Sequence, residues 1–272
     1  MSDITVINDS EQSSLVTNGL AKNGELYLKA AGSTDAGAIV VYDSGSWRTF
    51  ANEAAGLVQQ YSISLDGTND YVSVAHDSSL NATTAFTISA WVKYTSGTLA
   101  GYPQILSKRH SNAGYQLNIK DTGELFFGID GTSFVTGSTS LSSNTWYHVA
   151  VTWTSGTGAV AFYLNGAADG TGTSKTSVTS NTGALEIGHN PNFSNWYTGL
   201  MDEVAVFNSA LSSSNISAIY NSGVPTDLSS YSPVGWWRFE EGSGTTVENT
   251  ANPGTSDGTL TNGPTFSTDV PS

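Results

Sequence analysis

Apolar and polar residues alternate in short runs along most of the chain, and turn residues separate the runs. The longest regular run is WYHVAVTW (146–153), in which alternate residues would face opposite sides of a strand. The dipeptides DG, NG, TG and SG recur between runs and favour hairpin turns. Comparable runs are SISL (62–65), YVSV (71–74), FTISAWVKY (86–94), YQLNIK (115–120), ELFFGID (124–130), VAFYLNG (160–166) and MDEVAVF (201–207). The pattern predicts an all-β fold built as a sandwich of two sheets.

One segment has the helical period instead. In LSSSNISAIYNSG, Ser212 is placed to cap a helix, and the apolar residues Ile216, Ile219 and Tyr220 follow at spacings of three and four. Gly223 would end the helix. We therefore predict a single short helix against the sandwich.

The first 57 residues differ from the rest. The runs GELYLKA (24–30), GAIVVYD (37–43) and SWRTF (46–50) predict a small β-meander. Three strands this short bury too little apolar surface to stand alone. Their apolar side chains must therefore pack on the main domain, or else on copies of the protein or on a larger assembly. The candidate docking residues are Val40, Tyr42, Trp47 and Phe50. We expect residues 1–57 to form an attachment or oligomerisation segment and residues 58–272 the main domain.

Composition supports the all-β class and narrows the partners. The 272 residues include 29 glycines and only 12% charged residues, unlike a helical protein. Nine Lys and Arg against 23 Asp and Glu give a net charge of −14, which disfavours nucleic acid and anionic membrane surfaces and suits divalent cations. There is no cysteine, and no run of about 20 apolar residues that could insert in a membrane.

Five segments resemble, in content and order, the laminin G-like domains of the concanavalin A-like jelly-roll class. They are SLDGTNDYVSV (64–74), FTISAWVKY (86–94), NTWYHVAVTW (144–153), VAFYLNG (160–166) and GLMDEVAVFNSALSSSNISAIYNSG (199–223). The resemblance covers about residues 61–223. It implies an antiparallel jelly roll of two sheets that serves carbohydrate or protein binding.

The C-terminal segment GWWRFEEGSGTTVENTANPGTSDGTLTNGPTF (235–266) resembles the part that normally precedes the LDGTNDYV strand in that family. Here it follows the last strand and helix. We interpret the chain as a circularly permuted jelly roll in which residues 234–266 supply the strands that usually come first. Two alternatives are that this segment completes a neighbouring subunit, or that it is a remnant of a second repeat.

The resemblance also implies a structural calcium ion. In the family topology the strand ending at Asp66 pairs with the strand that begins near Asp202, which would bring the two carboxylates together. Calcium takes six to eight oxygen ligands, and Asn69, Asp70 and turn carbonyls could complete the set. The alternative is that Asp66 forms a local turn and Asp202 caps a strand end.

Aromatic residues in loops are candidate platforms for sugar rings. They are Tyr102 in AGYPQ and three residues of HNPNFSNWYTG, namely Phe193, Trp196 and Tyr197, with His110 and His189 nearby. Each of them could equally be a packing residue of the sandwich.

Catalysis finds no support in the sequence. Retaining glycoside hydrolysis needs two carboxylates about 5 Å apart. Asp202 and Glu203 are adjacent in a predicted strand and should point to opposite faces. The four histidines show neither a zinc-binding nor a Ser-His-Asp pattern. We therefore expect a protein that is not an enzyme.

The N-terminal sequence MSDITVINDSEQSS shows neither the basic nor the apolar segment of a secretory signal. A composition poor in Lys and Cys and rich in Gly, Ser, Thr and Asn resembles that of virion appendage proteins of tailed bacteriophages, which leave the host by lysis. We expect a capsid decoration or fibre-like protein on the virion exterior, which displays a glycan-binding jelly roll. Its partners would be other virion proteins and copies of itself, and a trimer is one symmetry expected of such an appendage. The alternative is an extracellular bacterial carbohydrate-binding or adhesion protein exported without a standard signal peptide.

Overall fold

The structure is a computed structural model of the 272-residue chain. It describes residues 59–272 except 82, 96, 98, 100 and 194, together with the backbone of residues 5–7, 26–29, 39–43 and 46–49. The chain divides into two compact units, Met1–Val58 and Gln59–Ser272. This boundary lies one residue from the predicted one.

The first unit contains a four-stranded sheet in the order β1-β2-β3-β4. Its strands are β1 Thr5–Ile7, β2 Leu26–Lys29, β3 Ile39–Asp43 and β4 Ser46–Thr49. Strands β2, β3 and β4 are antiparallel, as the three alternating runs predicted, and β1 runs parallel to β2. Strand β1 was not predicted because three residues are too short to show a period. Of the predicted docking residues, Phe50 and the side chains of Val40, Tyr42 and Trp47 lie outside the described part of the chain.

The second unit is a sandwich of two antiparallel sheets, which confirms the predicted fold class. Its strands are β5 Ser62–Asp66, β6 Tyr71–Val74, β7 Ala85–Tyr94, β8 Gln104–Ser107, β9 Tyr115–Ile119, β10 Leu125–Ile129, β11 Ser133–Thr136, β12 Tyr147–Thr154, β13 Ala159–Leu164, β14 Ala167–Thr173, β15 Leu185–Ile187, β16 Thr198–Phe207, β17 Gly235–Trp237, β18 Thr246–Val247, β19 Gly258–Thr261 and β20 Thr265–Ser267. The first sheet has the order β14-β13-β12-β7-β16-β5-β20, with β17 also paired to β16. The second has the order β11-β10-β9-β8-β15-β6-β19-β18.

The core lies between the two sheets and follows the period of two. On β12, Val149, Val151 and Trp153 are fully buried in the core, as are Leu117 and Phe127 of the opposite sheet. Burial of this many aliphatic and aromatic side chains is the main stabilising term of the fold. In both sheets, one set of alternate residues therefore points into the core, and the other set points to the outer face.

A helix covers part of the outer face of the first sheet. Helix α1, Ser213–Tyr220, begins after Ser212, whose hydroxyl accepts a hydrogen bond from the Asn215 amide, as the sequence predicted. Its Tyr220 ring lies 5.8 Å from the ring of Trp91 and 6.0 Å from that of His148. Short 3₁₀ turns occupy Ser78–Leu80, Asn221–Gly223 and Ser229–Tyr231. Among the described residues, no helix is long and apolar enough to cross a membrane.

The C-terminal segment is built into both sheets of the sandwich. Strands β17 and β20 pair with β16 and β5 in the first sheet, and β19 pairs with β6 in the second. Trp237 and Phe239 are fully buried in the core. The segment thus pairs the edges that β5 and β6 would otherwise leave open within this chain. The permuted origin of the arrangement remains a prediction.

Candidate functional site

A cleft of about 220 Å³ lies on the outer face of the second sheet, at the end formed by β9, β10 and β11. Its floor is polar and its walls are aromatic. The floor contains Arg109, Gln116 and Asn118, and the walls contain Tyr102, Phe126, Phe134 and Phe193. Sites for small ligands commonly combine an apolar wall with a few fixed polar groups in this way.

The strand period explains why these side chains reach the cleft. In β9, Tyr115, Leu117 and Ile119 point into the core, so Gln116 and Asn118 point to the opposite face. In β10, Phe127 is a core residue, so the neighbouring Phe126 also faces outward. An apolar Phe126 at an outward position has no partner in the core and becomes a wall of the cleft.

A network of side-chain amides holds the floor rigid. Asn190 donates from Nδ2 to Gln104 Oε1 at 3.2 Å and to Gln116 Oε1 at 2.9 Å. Asn118 donates to Gln104 Oε1 at 2.9 Å, and Gln116 donates to Asn118 Oδ1 at 3.3 Å. All four amides are at least nine-tenths buried. Because each amide satisfies another, the network avoids the penalty of an unpaired buried polar group and fixes the rotamers of Gln116 and Asn118.

The aromatic wall is a continuous row of rings. Phe126 and Phe134 stack with centroids 5.0 Å apart and an interplanar angle of 8°. Tyr102 lies 5.3 Å from Phe126 on the other side. Tyr102 has a φ of 60°, a left-handed conformation that is uncommon for a residue with a Cβ. Phe134 and Phe193 are 42% and 51% exposed, so much of their ring surface remains open to a ligand.

The charged residue of the floor is Arg109. Its Nε donates to the Ser111 carbonyl at 3.1 Å and its Nη1 donates to Gln116 Oε1 at 3.2 Å. The guanidinium carbon lies 5.0 Å from the centroid of the Phe193 ring, a cation–π contact that joins the floor to the wall. Burial lowers the pKa of Arg109. An arginine guanidinium nevertheless stays charged in proteins.

The structure brings two of the five predicted ligand-binding residues into the cleft. Tyr102 and Phe193 line it, whereas His110 is exposed outside it. Trp196 is half-buried and stacks on His189, with ring centroids 3.8 Å apart. The prediction for Tyr197 is wrong, because its side chain is fully buried in the core. Adjacent residues of this loop face opposite ways, so a run of aromatics cannot act as one platform.

Sequence reasoning missed the polar floor and half of the wall. Gln116 and Asn118 are recognisable as the polar half of an alternating strand, and Phe126 as one of two neighbouring phenylalanines that must face opposite sides. Arg109 gave no signal, because its position depends on Phe193, which lies 84 residues later in the sequence.

The predicted calcium ligands do not form one site. Strand β5 pairs with β16 so that Asp66 lies opposite Thr198, and Asp202 lies four residues further along. At 3.3 Å per residue that separation is about 13 Å along the strand. The prediction placed the start of β16 four residues too late. Among the described residues no group of three or more His, Asp or Glu side chains could hold a metal ion.

Asp66 and Asp70 do lie together in the turn after β5. Asp66 Oδ1 accepts hydrogen bonds from the amides of Thr68 at 2.8 Å and Asn69 at 3.3 Å, which is the geometry of a local turn. Asp70 Oδ2 accepts from the Asp66 amide at 3.3 Å. Burial, followed by the nearby Asp66 carboxylate, raises the pKa of Asp70. The two carboxylates thus carry a repulsion that a cation would relieve.

Asp202 and Glu203 are both buried, and the regular alternation on which the prediction of opposite faces rested does not hold at these residues. A β-bulge between Asp202 and Ala205 interrupts the alternation, and Glu203 takes a φ of 49°. Burial, followed by the neighbouring Glu203, raises the pKa of Asp202 well above its usual range. Glu203 accepts hydrogen bonds from Gln59, Trp236 and Arg238. The Glu203 carboxylate is therefore engaged by hydrogen bonds from other parts of the protein.

A second pair of reactive side chains is also enclosed. Ser89 Oγ lies 2.9 Å from His148 Nε2, and both residues are buried beneath Trp91 and the segment that follows α1. His148 Nδ1 has no hydrogen-bond partner among the described residues, so no acid orients the imidazole. A hydrolytic site needs such an acid and a substrate path, and neither accompanies this pair in the described part of the chain.

A family model for the concanavalin A-like lectin/glucanases superfamily matches residues 66–217, which is more than half of the chain. The chain belongs to this superfamily. No curated protein sequence matches it. The matched region contains the strands of the cleft and stops before the C-terminal segment, residues 234–266.

Among solved structures, a protein proposed to bind carbohydrate, from Bacteroides ovatus, is similar over 92% of this chain and 71% of its own, with 20% identity and a TM-score of 0.64. The heptameric pentraxin of Limulus polyphemus covers 60% of this chain at 19% identity and 82% of its own length, with a TM-score of 0.47. Domain 4 of an extracellular arabinanase from Geobacillus stearothermophilus covers 76% of this chain at 17% identity and 95% of its own length, also with a TM-score of 0.47. At such identities the Bacteroides ovatus protein establishes the fold alone.

Proposed function

We propose that this protein is a non-enzymatic carbohydrate-binding protein and that the cleft on β9, β10 and β11 holds the sugar. The observation that carries the proposal is the combination of stacked, exposed aromatic rings with a rigid floor of amide groups. The rings offer apolar faces to the C–H surface of a pyranose, and the amides offer donors and acceptors to its hydroxyl groups. Superfamily membership and the likeness to the Bacteroides ovatus protein agree with this function.

The binding role is favoured over hydrolysis by the lining of the cleft. Glycoside hydrolysis requires a pair of carboxylates beside the scissile bond. Among the described residues, the side chains that line the cleft include no Asp or Glu. The buried Asp202 and Glu203 lie in the first sheet, on β16, and not in the sheet that carries the cleft.

A glycan array probed with the labelled chain tests the proposal. We expect binding to at least one class of oligosaccharide, and we expect Phe134→Ala to weaken that binding by tenfold or more. The matched control is Val224→Ala, which removes another exposed apolar side chain, 47% accessible, away from the cleft. Equal binding by the two variants, or no binding by the wild-type chain to any glycan, would contradict the proposal.

We further propose that the protein is displayed on a phage virion, as a capsid decoration or a fibre-like component, with the first unit attached to the particle. Its support is the composition, the four-stranded sheet of the first unit and the glycan-binding cleft of the second. Mass spectrometry of purified particles should find the chain, and deletion of residues 1–57 should abolish its incorporation while leaving glycan binding intact. Glycan binding without particle association would favour the bacterial adhesion protein instead.

Calcium binding is proposed only at the Asp66–Asp70 turn, with Asp66, Asn69 and Asp70 as the protein ligands. Each carboxylate uses one oxygen within the turn and has the other available. A chelator should lower the melting temperature of the wild-type protein and leave Asp66→Asn/Asp70→Asn unchanged, because only the native state binds the ion. Equal responses of the two proteins to the chelator would remove calcium from the account.

A further inference from the structure

The cleft contains a cation without an acidic partner. Arg109 is only 6% exposed, and among the described residues no Asp or Glu forms an ion pair with it. Lys93, Lys175 and Arg238, in contrast, each pair with a carboxylate. Placing a charge in a buried site costs folding free energy unless a partner compensates for the lost hydration. In a chain with a net charge of −14, a buried arginine that pairs with no carboxylate among the described residues is unusual.

One edge of the guanidinium is available to a ligand. Nε and Nη1 are engaged by the Ser111 carbonyl and by Gln116 Oε1, whereas Nη2 has no hydrogen-bond partner in the described part of the chain. Nη2 is also absent from the polar atoms that are both unpartnered and sealed from solvent, so it keeps access to the cleft. Nη2 is therefore the guanidinium nitrogen that remains accessible to a ligand.

The surroundings hold this guanidinium in place. A Cβ on Gly131 would lie 2.1 Å from Nη2, so only glycine lets the backbone pass this close. Gly131 also has a φ of 61°, a conformation that favours glycine. On the wall side, the Phe193 ring covers the guanidinium at 5.0 Å. Contact from both sides fixes the side chain before any ligand arrives, which reduces the entropy lost on binding.

We infer that the cleft selects sugars that carry a carboxylate, such as hexuronic acids, and that Arg109 binds this carboxylate. The inference rests on the carbohydrate-binding function proposed above and names its substrate class. A carboxylate oxygen can accept a hydrogen bond from Nη2 of the arginine fork, and such a charge-assisted bond is about twice as strong as a neutral one. The sugar ring would then lie against Phe126 and Phe134, and the amides of Gln116 and Asn118 would reach its hydroxyl groups.

The size and charge of the cleft are compatible with this ligand. Its volume of about 220 Å³ leaves room for a sugar ring. The net charge of −14 repels an anion at long range. Salt at physiological concentration screens that repulsion beyond about 8 Å, so the contact with Arg109 decides the affinity.

The test compares each acidic oligosaccharide with its own methyl ester, which keeps the sugar and removes the charge. Tetramers of galacturonate, glucuronate and mannuronate, and a sialylated trisaccharide, are titrated calorimetrically into the full chain. A sulfated galactan tetramer serves as the anion without a carboxylate. The variants are Arg109→Gln, which removes the charge, Arg109→Lys, which keeps the charge but not the fork, and Lys120→Gln, which removes a positive charge outside the cleft.

We expect at least one carboxylated sugar to bind tenfold or more tightly than its methyl ester. Arg109→Gln should abolish this difference, Arg109→Lys should reduce it, and Lys120→Gln should preserve it. Equal affinity of the wild-type chain for acid and ester would overturn the inference, and this comparison needs no variant. Tighter binding of the sulfated galactan than of any uronate would overturn the carboxylate assignment. Phe134-dependent binding of neutral sugars alone would leave the proposed function standing, whereas binding of no sugar would remove both.

Discussion

The guanidinium of Arg109 lies 5.0 Å from the centre of the Phe193 ring, although 84 residues separate them in the sequence. This contact joins the end of β8 to the loop that precedes β16 and closes one side of the cleft. A loop aromatic that covers a buried cation contributes both to the shape of the site and to its charge. Its removal should affect binding more than folding.

Phe193→Ala should weaken glycan binding by roughly tenfold, about 1.4 kcal/mol, because the ligand loses a ring face and the guanidinium loses its cover. The free energy of unfolding should fall by less than about 1 kcal/mol, since the ring is 51% exposed. Calorimetric titration and chemical denaturation of the same variant measure the two effects. A large loss of stability with unchanged affinity would show that Phe193 is a packing residue.

Asn190→Ala, in contrast, should lower the stability of the fold more than it weakens glycan binding. It removes the donor shared by Gln104 and Gln116, both of which are buried. Each glutamine oxygen keeps another donor, Asn118 or Arg109, so the loss is that of two buried hydrogen bonds. At about 0.5–1.5 kcal/mol for each bond, the free energy of unfolding should fall by about 1–3 kcal/mol. The control is Asn208→Ala, which loses one exposed hydrogen bond to the Ser79 carbonyl. Chemical denaturation should show a clearly smaller loss for the control, and similar losses would contradict the role of the network.

His148 should make the fold sensitive to acid. Burial lowers its pKa to about 3 from an ordinary value of 6.5. The unfolded chain therefore binds a proton below about pH 6.5 that the folded chain refuses, and stability falls by about 1.4 kcal/mol for each pH unit below that value.

The measurement is the free energy of unfolding of wild-type protein and His148→Gln between pH 4.5 and 7.5. Subtraction of the two profiles removes the contribution of the carboxylates, which both proteins share. The difference should be flat above about pH 7 and should grow towards acid, to the disadvantage of the wild type. Parallel profiles would show that folding leaves the pKa of His148 unchanged and would contradict the lowered value.

Lys108 should give a rise of stability in mild alkali. Its Nζ is buried and is bonded to His76, Asn181 and Gly183, and burial lowers its pKa to about 8 from 10.5. Between these values the unfolded chain holds a proton that the folded chain has released, so stability rises with pH through this window.

Stability measured from pH 8 to 9.5 should therefore increase for the wild type. The rise should be absent in Lys108→Met and retained in Lys120→Met, the matched surface variant. Above about pH 10 the trend should reverse, because burial raises the pKa values of Tyr115 and Tyr197 and keeps them protonated only in the folded state. A constant or falling stability of the wild type between pH 8 and 9.5 would contradict the low pKa.

The circular permutation that we predict from the sequence implies that the second unit tolerates a change of connectivity. Ser62 Oγ donates to the Asp269 carbonyl at 2.7 Å, so the end of the chain lies close to the start of the sandwich. A protein in which residues 234–272 precede residues 59–233 through a short Gly-Ser linker should fold, with a circular dichroism spectrum like that of the natural order. Deletion of residues 234–272 should instead give an insoluble chain, because β5 and β6 each lose one of their two partners and become open edges.

The sequence was sufficient for the fold but only partly so for the site. Alternation in strands and the cap of α1 are local signals, and both were interpreted correctly. The predicted pairing of Asp66 with Asp202 failed because strand register is set by interactions across the sheet, and no local signal places Thr198 opposite Asp66. Tyr197 was misassigned because the burial of a loop residue depends on how the loop packs on the core, which the local sequence does not reveal.

Arg109 illustrates the part that sequence cannot supply. Its chemical meaning comes from the absence of a carboxylate partner within the described residues and from contacts with Ser111, Gln116 and Phe193. These depend on three different elements of the fold. Local propensity carries no information about such a meeting point, so a sequence with 23 acidic residues gave no reason to expect a positively charged cleft.

The most direct test of the account is a crystal structure of the chain with the tightest-binding oligosaccharide from the array. We predict a sugar ring against Phe126 and Phe134, with polar contacts to Gln116 and Asn118 and an acidic group on Arg109. A ligand bound at the Asp66–Asp70 turn or over α1, with the cleft empty, would contradict the assignment of the site.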